Sequence, residues 1–251
     1  MSVWEALAIL GVGLLAGMVN TIVGSGSLIT FPTLLAFGYP PVTANVSNTV
    51  GLVFGSLSGA VGYRRELRGQ RRRVLLLGSA SLIGGITGSI LLLTLPSSVF
   101  DAVVPVLILG TVALVIVQPR LSAWVAGRRA AHVEHGGPIL WVGLLLTGVY
   151  GGYFGAAQGV ILLSLLGIFI VDSLNRLNGV KNVLALIANG VAALIFVFSA
   201  HVVWEVSALI AVGSIVGGQI GAHVGRRLPA PWLRGLIVVV GVIAAVRLLV
   251  G

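Results

Sequence analysis

Between Ala6 and Tyr63 the chain carries no lysine, arginine, aspartate, glutamate or histidine. An uncharged run of that length far exceeds the roughly 20 apolar residues that cross a bilayer as one helix. It predicts an integral membrane protein crossed by several apolar segments. The rest of the chain agrees: only 8% of residues are charged, against about a quarter in a soluble domain. The 36 glycines fit as well, because small residues let membrane helices approach closely.

Eight hydrophobic blocks follow one another, roughly at 3–37, 46–63, 74–95, 99–118, 139–171, 183–200, 206–225 and 235–250. The first and fifth are too long for one ordinary span. Glycines and small polar residues interrupt them, at Gly24-Ser25-Gly26-Ser27 and from Gly151-Gly152 through Gly159. Such interruptions weaken a continuous helix, so each long block is expected to be a pair of shorter helices around a break. Cysteine is absent, which excludes disulfides, thiolate metal sites and cysteine nucleophiles. The opening MSVWEALAIL has no basic leader region, and no cleaved signal is expected.

The net charge of +9 suits orientation in a membrane better than nucleic acid, which is not an expected partner. Fourteen of the 15 basic residues fall in four clusters: Arg64 to Arg73, Arg120 to Arg129, Arg176 with Lys181, and Arg226 to Arg234. Arg247 is the exception. Connections at 38–45, 96–98 and 201–205 have neither Lys nor Arg. Basic loops stay cytoplasmic, so the protein is expected in the cytoplasmic membrane as a multi-pass chain. Loop 64–73 is then inside while its second-half counterpart, 201–205, is outside. The two halves are therefore expected to insert in opposite senses, with the long blocks as hairpins entering and leaving on one side. Hairpins that cross fully would keep the same parity.

An internal repeat accompanies this. Gly84-Gly85-x-x-Gly88 followed by Leu95-Pro96 matches Gly217-Gly218-x-x-Gly221 followed by Leu228-Pro229 at an offset of 133 residues. Asn45 pairs with Asn178 at the same offset, and the hairpins align at 131, Gly17 with Gly148 and Gly24 with Gly155. The expected fold is an all-α polytopic membrane protein of two inverted repeats, each a broken, re-entrant helical hairpin plus three transmembrane helices. The first repeat is placed at 1–118, a cytoplasmic linker at 119–138 and the second repeat at 139–251.

The stretch Gly17-Met-Val-Asn-Thr-Ile-Val-Gly-Ser-Gly-Ser-Leu-Ile-Thr-Phe-Pro32 resembles the first signature of the sulfite exporter TauE/SafE family. Gly38-Tyr-Pro-Pro-Val-Thr-Ala-Asn-Val-Ser-Asn-Thr49, Gly55-Ser-Leu-Ser58 and Tyr63-Arg-Arg65 continue it, and Gly148-Val-Tyr-Gly-Gly-Tyr-Phe-Gly155 and Gly217-Gly-Gln-Ile-Gly221 carry it into the second half. The resemblance covers essentially the whole chain. It implies a secondary transporter, an exporter of sulfite, organosulfonates or other small sulfur oxyanions, working by alternating access without a cofactor. The chain departs from the family pattern at Asn20, where many members are acidic, and at Ser25 and Ser27, where the break is more often glycine alone.

A broken helix exposes backbone N–H groups at the start of its second half, and the aligned peptide dipoles add partial positive charge there. Within a membrane such irregular backbone must be buried or line a cavity. The candidate substrate site therefore gathers around the breaks: Asn20, Thr21, Gly24, Ser25, Gly26 and Ser27 on the first hairpin, and Tyr150, Tyr153 and Gln158 on the second. Asn45, Asn48 and Thr49 open one following span, and Asn178, Lys181 and Asn182 open the other, with Lys181 expected at the cytoplasmic mouth. Each of these side chains alone could equally hydrogen-bond backbone or glue helices. All six acidic residues fall at segment ends or in loops, which disfavours cation sites and carboxylate proton relays. His223, within an apolar block, is weighed as a proton carrier. Expected partners are a small anionic substrate, membrane lipid and, as an open option, further copies of the chain. Two rivals share these motifs: a small-anion channel, and an intramembrane serine protease using Ser25 and His223. No enzymatic activity is expected.

Overall fold

The computed structural model describes residues 1–127 and 136–224, and side chains within 118–127 only at Arg120. The predicted span at 235–250 and the basic cluster at Arg226 to Arg234 lie outside the described residues. Those described form nine helices and no strand: α1 (Val3–Ile22), α2 (Ser27–Ala36), α3 (Pro41–Gly62), α4 (Arg71–Thr94), α5 (Ser97–Gly127), α6 (Gly137–Tyr153), α7 (Gln158–Phe169), α8 (Leu174–Ser199) and α9 (Trp204–Val224). Five of them, α1, α4, α5, α8 and α9, contain stretches long and apolar enough to cross a membrane.

Local sequence explains three of the helix starts. Ser2 caps α1 and Glu5 reaches back to the Ser2 N–H at 2.8 Å, closing a capping box. Pro41 opens α3, where a missing N–H costs nothing. Ser173 caps α8 by accepting from the Arg176 N–H at 3.4 Å. Both long blocks are broken as expected. The second break is narrower than read from sequence, residues 154–157, because Gly151 and Gly152 stay inside α6 and serve close packing instead. There Gly152 lies against the Gly85 backbone. Helices α3 and α8 begin well before the apolar blocks at 46 and 183, so Asn45, Arg176, Asn178, Lys181 and Asn182 belong to helices rather than loops.

Small residues line the closest helix contacts, and many large apolar side chains face out. Val106, Leu146 and Phe198 are all more than 60% exposed, as a lipid-facing surface requires. Gly13, Gly17 and Gly213 put α1 directly on the backbone of α9, and Gly84, Gly88 and Gly148 do the same for α4 and α6. The pairing is reciprocal between the halves. Gly84 faces the Leu145 carbonyl and Gly217 the Leu14 carbonyl; Gly88 faces that of Val149 and Gly221 that of Met18. These are the 133 and 131 offsets of the sequence, now seen as contacts.

Contact order also gives direction. Residue numbers rise together along α1 and α9, along α3 and α9, and along α4 and α6. Gly78 meets Ile187 and Gly85 meets Ala188 and Val191, so α4 and α8 also run the same way. By contrast α3 and α8 run oppositely, because Gly179 near the start of α8 lies beside Tyr63 at the end of α3. At their other ends Ser47 of α3 accepts from the Val203 N–H that follows α8, at 3.0 Å. Helices α1, α3 and α9 therefore point one way and α4, α6 and α8 the other.

Candidate functional site

The two breaks touch. The Gly159 N–H donates to the Gly24 carbonyl at 3.0 Å, and a Cβ on Gly24 would lie 2.3 Å from Gly159 Cα. Gly24 also has φ +90°, a left-handed conformation natural to glycine. At the second break Gly155 (φ 75°) and Ala157 (φ 54°) turn the chain. The Tyr150 hydroxyl secures that turn, donating to the Ala156 carbonyl at 2.5 Å and lying 2.9 Å from Thr111 Oγ1. Phe154 stands edge-on to Phe31 of α2 at 5.2 Å between centroids, joining the two hairpins through an aromatic contact.

Each helix that ends at a break is clamped by the opposite half. Asn45 on α3 donates to the Tyr153 carbonyl of α6 at 3.0 Å. Its sequence counterpart Asn178 on α8 donates to the Thr21 carbonyl of α1 at 3.3 Å. Asn182 joins it at 3.3 Å, and the Lys181 ammonium donates to the carbonyls of Asn20 and Thr21 at 3.1 and 3.0 Å. Lys181 is only 1% exposed. It is thus a hydrogen-bonding cap on the carbonyl end of α1, where the last turn of a helix carries partial negative charge, rather than a group at the mouth.

The remaining predicted residues divide between lining and support. Asn20, Ser27, Thr49 and Gln158 line a cavity between the breaks with Leu52, Phe154, Gly155, Gly159, Ala185 and Asn189. Its centre admits about 10 Å³ of water-sized space, room for roughly one water. Asn48 supports α2 by donating to Ser27 Oγ at 3.2 Å and accepting from the Thr30 hydroxyl. Thr49 donates to the Asn45 carbonyl at 2.9 Å, and Asn20 to Ser56 Oγ at 3.2 Å. Gly26 packs on the Ala16 carbonyl. Tyr153 packs on Phe100 at 5.6 Å and does not line the cavity.

What distinguishes this region is unmet polarity. Thr21 Oγ1, Ser25 Oγ, Asn45 Oδ1, Asn178 Oδ1 and both polar atoms of the Gln158 amide are buried without a hydrogen-bond partner. Buried polar groups are nearly always paired, and each orphan calls for an explanation. Five such residues around one pair of breaks is a concentration that helix packing alone does not require.

Asn189 was missed from the sequence, although a polar residue in the middle of an apolar block was a usable signal. Its counterpart at the 133 offset is Ser56, which binds Asn20. His223 and Ser25 do not form a dyad. His223 is exposed and lines a separate cavity with Arg64 and Arg65, while Ser25 is buried at the first break.

The model of the family described as "Sulfite exporter TauE/SafE" matches residues 9–248. The chain belongs to that family. Relatives whose names describe membrane transporters agree. A "Probable membrane transporter protein ORF9" of Sinorhizobium sp. is 27% identical over 94% of this chain and 88% of its own length. A "Probable membrane transporter protein" of Haemophilus influenzae is 26% identical over 94% and 91%. The "Probable membrane transporter protein YfcA" of Escherichia coli K12 is 25% identical over 95% and 87%. No solved structure matches. This TauE/SafE member is thus a multi-pass membrane protein of a transporter family and not an enzyme.

Proposed function

We propose that the chain is a secondary transporter that exports small anions, sulfite or a related sulfur oxyanion or organosulfonate, by alternating access between two inverted repeats at 1–118 and 139–251. The observation that carries this reading is a set of buried donors without partners, the Thr21 and Ser25 hydroxyls and the Gln158 amide nitrogen, around two touching helix breaks. Burying such a donor unpaired costs about 1–3 kcal/mol, a cost that a bound oxyanion removes; the orphaned amide oxygens of Asn45 and Asn178 only accept and would be met by a donor, not by an anion. The reciprocal clamps of Asn45 and Asn178, and the opposed directions of α3 and α8, support the inverted arrangement.

Anion preference follows from charge. A break presents a carbonyl end as well as an N–H end, and their partial charges nearly cancel. Lys181 on the carbonyl end of α1 removes that cancellation at the first break and leaves it positive. The cavity, with room for about one water, is too small for an oxyanion. This conformation is therefore occluded, and loading requires the hairpins to part at the Gly24–Gly159 contact. With the arginine loops inside, the carrier loads from the cytoplasm.

Flux in reconstituted vesicles tests the reading, with sulfite, sulfate, thiosulfate, sulfonates and small carboxylates as solutes. Saturable, gradient-coupled uptake is expected for at least one sulfur oxyanion. Gln158→Leu should abolish it while leaving insertion intact. Unchanged kinetics in that variant overturn the site, and unitary currents favour a channel.

A further inference from the structure

A second cavity opens where α3 and α9 end together. Gly62, Arg64, Arg65, Gln219, Ala222 and His223 line it, and about 230 Å³ of it is accessible to a water-sized solute. That is many times the space between the breaks. No carboxylate lines it among the described residues. Arg64 spends one contact on the Val61 carbonyl at 3.2 Å, capping α3, but two guanidinium charges outweigh the roughly half-charge of a helix end. Gln219 is fixed by donating to Ser58 O and Oγ, both at 3.0 Å, so its amide oxygen is turned toward Gly62.

The cavity stands next to the break. Its floor is the contact of Gly62 with Ala222, and one helical turn deeper Gly59 and Gly221 both lie against Thr21. Thr21 Oγ1 is one of the buried, unpartnered atoms. The seam between cavity and break is therefore made of residues without bulk, with an unpaired hydroxyl at its inner end. At the opposite face the pattern inverts: the acids Glu5 and Glu205 stand near Tyr39.

We infer that this cavity is an anion-loading vestibule, in which Arg64, Arg65 and His223 hold an oxyanion such as sulfate or sulfite at the arginine-loop face before it reaches Thr21. The inference rests on the transport reading above, but its site can be tested without transport. Clustered charge at a concave mouth raises the local concentration of counter-ions and is screened by salt. It lowers the KM on its own face without setting the direction of net flux.

The probe is sulfate, and the readout is diethyl pyrocarbonate modification of His223 in the purified full chain at low ionic strength, followed by mass spectrometry. Exposed His201, just before the start of α9 and so at the opposite end of that helix from His223, is the internal control. Sulfate should protect His223 and not His201, and R64Q/R65Q should raise the protecting concentration about tenfold. In vesicles the same double variant should raise the sulfite KM about tenfold at the arginine-loop face only, an effect lost at high salt. Absence of protection in the wild type, or equal protection in R64Q/R65Q, overturns the inference. So does protection seen only in nanodiscs of anionic phospholipid and not in neutral ones with sulfate, which would assign the cavity to lipid headgroups. Flux without protection would leave the transport reading standing and this one refuted. Protection without flux of any solute would do the reverse.

Discussion

Gly217→Ala adds one methyl group and should unfold the bundle measurably. A Cβ at that position would lie 1.9 Å from the Leu14 carbonyl oxygen. Real Cβ atoms essentially never come closer than 3.0 Å, so α1 and α9 must separate by about 1.1 Å (3.0 − 1.9) at this point. The obstructing atom is backbone, and no rotamer change relieves it. Overpacking of this kind costs about 3 kcal/mol or more at the upper end of its range. Alanine's better helix propensity returns about 1 kcal/mol, leaving a net loss of about 2 kcal/mol. The counterpart Gly84→Ala, with its Cβ 2.3 Å from the Leu145 carbonyl, should lose somewhat less. Gly11→Ala sits in the same α1 with nothing within 4 Å, so only the propensity gain remains and it should hold or raise stability. Thermal unfolding of the purified variants in one detergent measures all three. If Gly217→Ala matches the wild type, or Gly11→Ala falls as far, the glycine-lined seams do not set helix distance and the packing argument is wrong.

Three further outcomes follow from the site and its supports. Asn45→Leu and Asn178→Leu should each reduce anion flux without loss of insertion, since each removes a donor from the carbonyl end of a broken helix, Asn45 from the Tyr153 carbonyl and Asn178 from that of Thr21. Unchanged kinetics in both would refute the clamps. Tyr150→Phe removes the hydroxyl that joins Ala156 to Thr111 and should cost about 1–3 kcal/mol, read as a lower melting temperature. Asp172 bridges Arg73 at 2.8 Å and Arg176 at 3.0 Å. Burial pushes its carboxyl up, but hydrogen bonds from Arg73, the Ser173 N–H and Arg176 outweigh this and hold it below its ordinary value of 3.8. A carboxylate depressed in the folded state stabilises above its unfolded pKa and loses that stabilisation as pH falls through the folded one. The melting temperature of the wild type should therefore drop toward that of Asp172→Asn below about pH 4, with the two differing most near neutrality.

The breaks are legible because glycine and serine interrupt otherwise apolar blocks, and the glycines that the expected repeat aligns lie at helix contacts. The arginine loops give an expected sense of insertion, but which helices lie side by side comes only from contacts such as Gly179 with Tyr63. Charge placement misled in one respect. Its polarity places Lys181 among the candidate site residues but at the cytoplasmic mouth, because sequence alone shows nothing that would make its burial tolerable. The Asn20 and Thr21 carbonyls that receive it are 161 and 160 residues away in sequence. Asn178 and Asn182 were read as pathway residues for their polarity, and they do meet the break, but chiefly by holding α1. Asn189 was passed over because it stands alone among apolar neighbours, although its pairing with Ser56 across the repeat was already visible.

The sign of the field at the break turns on Lys181, and one variant separates its charge from its hydrogen bonds. Glutamine at this position keeps a donor for the Asn20 or Thr21 carbonyl, and Thr21 O retains Asn178 and Asn182 in any case. Lys181→Gln should therefore fold and insert, and it even escapes the cost of burying an ammonium. It does remove a unit positive charge. At an effective dielectric of about 20 and a separation on the order of 8 Å, that charge is worth about 2 kcal/mol to a bound monoanion, or roughly thirtyfold in affinity. Lys181→Arg, which keeps the charge but not the shape, should retain anion preference at lower stability. Flux of sulfite at subsaturating concentration, measured beside the melting temperature, distinguishes the two contributions. If Lys181→Gln transports sulfite with unchanged KM, the helix N-terminal ends suffice, and the carbonyl ends beside them are not the opposing charge inferred for them here.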